Sequence, residues 1–169
     1  MNRLNLLLGI SERRISNLIE ILVHDVCFDQ ATVNSIKTSR VDELIFRGSC
    51  DETDLIVMAP DNLLVGSNQR PARGSMAEAL SAIRLIKSQR IVPLITVAVS
   101  PEQELPLLEA GADSAFASFF DQEAFKTEVR RVMRLPEKVE IPAASYSRWS
   151  MAGLWMRGLH WLNQSKIKV

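Results

Sequence analysis

The sequence predicts a doubly wound α/β domain, a five-stranded parallel sheet with helices on both faces. Three observations carry that expectation. Five short apolar runs alternate strictly with five segments of helical period. The connections between them are short, and right-handed crossovers then leave few topologies. The 169 residues are 47% hydrophobic, enough for the core of one ordinary domain with some chain left over.

Residues 4–8, four of them leucine, read as a buried strand that ends at Gly9. A helix follows over 12–26, with Ile15, Leu18, Ile19, Leu22 and Val26 along one face. Residues 27–33 alternate weakly and read as the second strand. Residues 40–47 place Val41, Leu44 and Ile45 at helical spacing, and Gly48 is a stop. Residues 54–60 form the clearest strand, ended by Pro60. Residues 61–75, with Gly66, Pro71 and Gly74, read as a loop.

A third helix is expected from Met76, Ala79, Leu80, Ile83 and Ile86, and a fourth strand from the β-branched run 91–99. Ser100, Pro101 and Gln103 make a helix start, combining a capping box with proline at the first helical position. Pro106 is expected to bend or shorten that helix, which stops at Ala110-Gly111. Residues 114–119 are the last strand. Residues 121–135 are the last helix, with Phe125, Val129 and Val132 on one face. The carboxyl ends of the strands, where such sheets place their sites, fall at residues 9–12, 59–75, 98–101 and 118–121.

No apolar run approaches the ~18 residues of a membrane span. The N-terminal apolar stretch is too short for a signal peptide. Cys27 and Cys50 make no disulfide framework. The expected location is cytoplasmic. The formal net charge is zero, but it is unevenly divided. Residues 1–135 carry a net charge of −3 and residues 136–169 a net charge of +3. All three tryptophans and the single tyrosine lie in that second segment. The expected domains are a body at 1–135, a linker at 136–147 containing Pro136 and Pro142, and an aromatic helix and tail at 148–169.

Several chemistries are disfavoured. His24 and Cys27 are three residues apart, but no second ligand pair accompanies them. No nucleophile elbow, CxxC motif or Walker loop is present. The glycine-flanked segment 66–74 carries Arg70 and Arg73. It fits either an anion cradle or, more simply, a solvated surface loop. A nicotinamide-binding turn and a cobalamin ligand loop are both missing. No cofactor is expected.

The segment Leu107-Leu-Glu-Ala-Gly-Ala-Asp-Ser-Ala-Phe116 is similar to the "EAGADDYL" segment of response-regulator receiver domains. Phe119-Phe120-Asp121 before a helix resembles the family's "KPFD", and residues 79–96 resemble its third helix and fourth strand. The resemblance covers about 1–135 and is strongest in the second half. It implies a phosphoacceptor aspartate after strand three, Mg²⁺-binding acids after strand one, a Thr or Ser after strand four and a Lys after strand five. The matching positions here hold Ala59, the pair Gly9 and Ile10, Ala98, and Ser118. None supplies the required group. The resemblance therefore implies a pseudo-receiver, a receiver fold without phosphotransfer. A shift of two residues keeps the same strand face and brings up Glu12, Asp61 and Ser100, but no lysine. Asp61 with Mg²⁺ is the alternative phosphoacceptor.

No acidic residue follows Pro142. On a helix, Met151, Ala152, Trp155, Met156, Leu159 and Leu162 share a broad face, with Trp149 at its border. Trp149, Trp155, Met156, Leu159 and Leu162 are the candidate partner-binding residues. Three roles fit this face: packing on the body or in a homodimer, docking into a partner protein, or peripheral contact with an anionic membrane. Nucleic acid is not an expected partner, because only four basic residues follow Pro142 and no DNA-binding motif precedes them. The expected function is a non-catalytic signalling or assembly module that works by protein–protein interaction.

Overall fold

In the computed structural model, the structure describes residues 2–28, 30–66, 72–117 and 121–135. The chain divides into Met1–Pro136 and Glu137–Val169. The description concerns the first unit. The expected linker and the tail residues Trp149, Trp155, Met156, Leu159 and Leu162 lie outside the described residues.

The elements are β1 (Asn2–Gly9), α1 (Arg13–Cys27), β2 (Ala31–Thr38), α2 (Val41–Gly48), β3 (Leu55–Met58), β4 (Leu64–Val65), β5 (Ala72–Arg73), α3 (Met76–Gln89), β6 (Leu94–Val99), α4 (Pro101–Ala110), β7 (Ser114–Ala117) and α5 (Gln122–Val132). Five strands form one parallel sheet in the order β2-β1-β3-β6-β7. This is the expected doubly wound arrangement, with the order reversing between β1 and β3.

Strand alternation sends neighbouring side chains to opposite faces. Leu6 and Leu8 of β1, Leu55 and Val57 of β3, and Ile95 and Val97 of β6 pack with α1 and α5 around Ile19, Val23 and Phe125. Leu7, Ile56, Met58 and Leu94 pack on the other face with Leu44, Ile83 and Leu107 of α2, α3 and α4. The central strands are buried on both faces, so they read as continuous apolar runs.

Three expectations are corrected. The second strand runs over Ala31–Thr38 rather than 27–33. Cys27 closes α1 and is fully buried, so its apolar character belongs to the helix. β2 is an edge strand and tolerates the exposed Thr32, Asn34 and Lys37, which mute its pattern. The segment 61–75 is more than a loop. A single 3₁₀ turn at Pro60–Asn62 is followed by an antiparallel ribbon of β4 and β5. The ribbon is tied to the end of β2 by the Leu64 N–H donating to the Ser39 carbonyl at 2.6 Å. Two-residue strands are too short to show a period.

The third correction concerns α1. Its buried face is Ser16, Ile19, Leu22, Val23, Val26 and Cys27, whereas Leu18 is 38% exposed. Ile19, Leu22 and Val26 of the expected face are buried and Ile15 packs beside them, so the face is only turned away from Leu18 to take in Ser16, Val23 and Cys27. On α4, the helix continues past Pro106 to Ala110. It ends at Gly111, whose φ of 112° is the left-handed conformation that glycine adopts freely.

Candidate functional site

The crevice at the carboxyl ends of β1, β3 and β6 is the expected site of a doubly wound sheet. Gly9 ends β1 and pairs with Met58. A Cβ at Gly9 would lie 2.9 Å from a Leu44 methyl and 3.1 Å from Met58 Cβ, so a side chain here would have to push Leu44 aside. Ile10, the next residue, is buried at 4% exposure within the core. Ala59 follows β3, is fully buried, and donates its N–H to the Gly9 carbonyl at 3.0 Å.

Ala98 sits at a register shift between β6 and β7. Thr96 faces Ala115 and Val99 faces Ala117, so β6 carries one extra residue there. Ala98 has φ 58°, a left-handed conformation that is uncommon for a non-glycine residue. Strain of this kind is placed at the carboxyl edge, one residue before the strand ends. Ser118, the remaining matched position, lies outside the described residues.

Asp61 stands on the 3₁₀ turn after β3 and is exposed. Gln103 Nε2 donates to both of its carboxylate oxygens, at 3.1 and 3.3 Å. Gln103 Oε1 accepts the Ser100 N–H at 2.9 Å, so one side chain caps α4 and holds Asp61. Glu12 is exposed at the start of α1 and makes no capping bond.

Mg²⁺ needs oxygen donors in near-octahedral geometry, commonly one or two carboxylates plus substrate phosphate. Gly9 and Ile10 offer no side-chain oxygen, and Asp61 is engaged by Gln103. Among the described residues, no group of three or more His, Cys, Asp or Glu is placed to hold a metal ion. The residues present do not fit the metal that the resemblance implies.

His24 and Cys27 do not face a common site. His24 is exposed and Cys27 is fully buried in the core, where burial pushes its thiol pKa up. Of the two arginines in the 66–74 segment, Arg73 is on β5 and exposed, and Arg70 lies outside the described residues.

Sequence reading missed a second cleft on the same edge. It lies between Ile10 and Ser11 after β1, the end of β2 and the first turn of α1, with a volume of about 470 Å³. Ser11, Arg13, Ser16, Lys37 and Ser39 are among its lining residues. Ser16 could have been found by the i, i+3, i+7 spacing to Ile19 and Val23.

The fold is that of receiver domains. The receiver domain of a sensor histidine kinase from Pseudomonas aeruginosa PAO1, with magnesium coordinated in its active-site cleft, superposes with a TM-score of 0.57 at 17% identity. The match covers 78% of this chain and 98% of that one. The N-terminal domain of a response regulator/sensory box/GGDEF protein from Carboxydothermus hydrogenoformans gives 0.56 at 13% identity, covering 78% and 94%. A protein whose name relates it to pilus assembly, from Burkholderia pseudomallei K96243, gives 0.56 at 17% identity, covering 80% and 92%. No protein-family model and no curated protein matches this sequence.

Proposed function

We propose that this chain is a non-catalytic signalling or assembly module, a pseudo-receiver that works by protein–protein interaction without phosphotransfer. The observation that carries this reading is the composition of the crevice. Ile10 and Ala59 are core residues there, Gly9 carries no side chain and is crowded by Leu44, and Ala98 sits in a left-handed bulge. Alanine offers no oxygen nucleophile. Without an acceptor, any shift between two states has to come from a partner or ligand with different affinity for each. The same fold in a protein named for pilus assembly fits an assembly role as well as a signalling one.

Partner capture is assigned to the segment after residue 142, where every tryptophan lies and no acidic residue occurs. Deleting 143–169 is expected to abolish self-association or partner capture and to leave the α/β body folded. Sedimentation velocity on the full and shortened chains, with circular dichroism as the folding control, tests this. Unchanged association in the shortened chain contradicts the assignment. The competing reading is a phosphorylatable receiver using Asp61. Its signature is a covalent phosphate that disappears in Asp61→Asn.

A further inference from the structure

We propose that the outer edge of β2 pairs with β2 of a second copy of this chain. The two strands run antiparallel about a twofold axis at Asn34, so that one sheet continues through both copies. This contact does not rest on the reading given above. It belongs to the α/β body, and what the segment after residue 142 adds beyond a pair is read separately by its deletion.

The two edges of the sheet are built differently. A sheet edge presents unpaired N–H and C=O groups, and proteins blunt it with short strands, bulges, proline or charge. β7 is blunted: it has four residues, and its register with β6 is broken at the Ala98 bulge. β2 has eight residues, all in uninterrupted register with β1, and no proline or glycine. Its one charge, Lys37, is drawn onto α1 by Asn17 Oδ1 at 3.0 Å and by Glu20 at 2.5 Å. Among the described residues, β2 pairs in the sheet with β1 alone. The β4–β5 ribbon meets the chain only beyond the strand, at Ser39 and Arg40. An edge of this kind fits an extended strand.

A polar ladder selects which strand. Asn5 of β1 and Asn34 of β2 are register partners. Asn34 Nδ2 donates to Asn5 Oδ1 at 3.1 Å, and Asn5 Nδ2 donates to the Glu52 carbonyl at 2.7 Å. Asn34 is exposed, and among the described residues its Oδ1 accepts no hydrogen bond. In an antiparallel pair, residues directly opposite share a face. A twofold axis here sets Asn34 against Asn34 of the second copy, where each Oδ1 accepts from the other amide. The ladder then runs unbroken across the junction.

The neighbours suit the same register. Lys37 falls opposite Ala31 of the second copy, so no like charges meet. Ile36, half-buried on the α2 and α3 side, falls opposite Thr32 of the second copy, whose methyl group extends its apolar cover. A register centred on Ser35 also matches the faces, but it sets Asn34 against Ile36 and leaves the amide unpaired.

The test is native mass spectrometry on the full chain, on Asn34→Asp, on Asn34→Lys and on an equal mixture of the two variants. The expected result is a pair in the wild-type chain. Each variant alone should pair about fivefold more weakly, because like charges then face each other across the axis. The mixture should recover pairing as a mixed pair. Circular dichroism checks that the variants are folded. Cysteine cross-linking reads the register without a charge change. In a Cys50→Ser background, with Cys27 buried, Asn34→Cys should form a disulfide-linked pair on mild oxidation, and Thr32→Cys should not. A monomeric full chain would leave the edge to a strand of another protein and overturn the proposal. Unchanged pairing in both charge variants, failure of the mixture to recover it, or cross-linking at 32 as readily as at 34 would each overturn it as well.

Discussion

Gln103 ties the start of α4 to Asp61, donating from Nε2 to both carboxylate oxygens while its Oε1 accepts the Ser100 N–H. Of the two carboxylates that a two-residue shift would bring to the crevice, Glu12 and Asp61, the second is thus paired within the protein. Gln103→Ala should lower stability by about 1 kcal/mol, the usual worth of a cap. Asp61→Asn should cost less, because Asp61 is exposed and its amide oxygen still accepts. Urea denaturation of the two variants checks the order. A larger loss for Asp61→Asn would show that the carboxylate has another role.

Ala98 and its left-handed backbone make the next expectation. Ala98→Gly should stabilise the protein by about 1 kcal/mol, since glycine adopts φ 58° without steric cost. Ala98→Thr restores the receiver residue type, yet it should destabilise, because a β-branched side chain is poorly tolerated at positive φ. Thermal denaturation of both variants gives the signs. Stabilisation by threonine would show that the bulge is not intrinsic to this edge.

The end of α5 holds a comparable strain. Leu135 N–H donates to the Arg130 carbonyl at 2.9 Å and Arg134 N–H to the Arg131 carbonyl at 3.2 Å, with Arg134 at φ 52°. That is a Schellman ending with arginine in the place where α4 uses Gly111. Arg134→Gly should raise stability by about 1 kcal/mol. A loss on chemical denaturation would mean that the arginine side chain contributes more than its backbone costs.

Acid should weaken the fold through Glu128 and Glu20. The Arg131 guanidinium, helped by the Ser114 hydroxyl, holds Glu128 below the ordinary glutamate range. Lys37 and Ser35 do the same for Glu20. A carboxylate whose folded pKa is depressed contributes stability that is fully present above its unfolded value of about 4.3. That contribution is lost as pH falls through the folded pKa. The urea midpoint should therefore drop below about pH 4, and Glu128→Gln should flatten the drop. An equally steep decline in Glu128→Gln would remove this pair as a cause.

Much of the fold was legible because β1, β3 and β6 are buried on both faces and read as unbroken apolar runs. The capping box at Ser100 and the stop at Gly111 are local signals, visible without tertiary context. β2 was misplaced because an edge strand need not be apolar. The β4–β5 ribbon was missed because two residues have no period. At the candidate site, the identities at positions 9, 10, 59 and 98 were readable, but the geometry was not. Only packing shows that Leu44 fills the space at Gly9, that Ala98 bulges, and that Ser16 is buried while Leu18 is not.

Without an oxygen nucleophile at Ala59, this receiver-like domain is expected to perform no phosphotransfer. The most direct measurement is the intact mass of the full chain after incubation with acetyl phosphate and Mg²⁺, beside an Asp61→Asn control. An unchanged mass is expected in both proteins. A phosphate-sized gain in the wild-type chain that is absent from Asp61→Asn would contradict it.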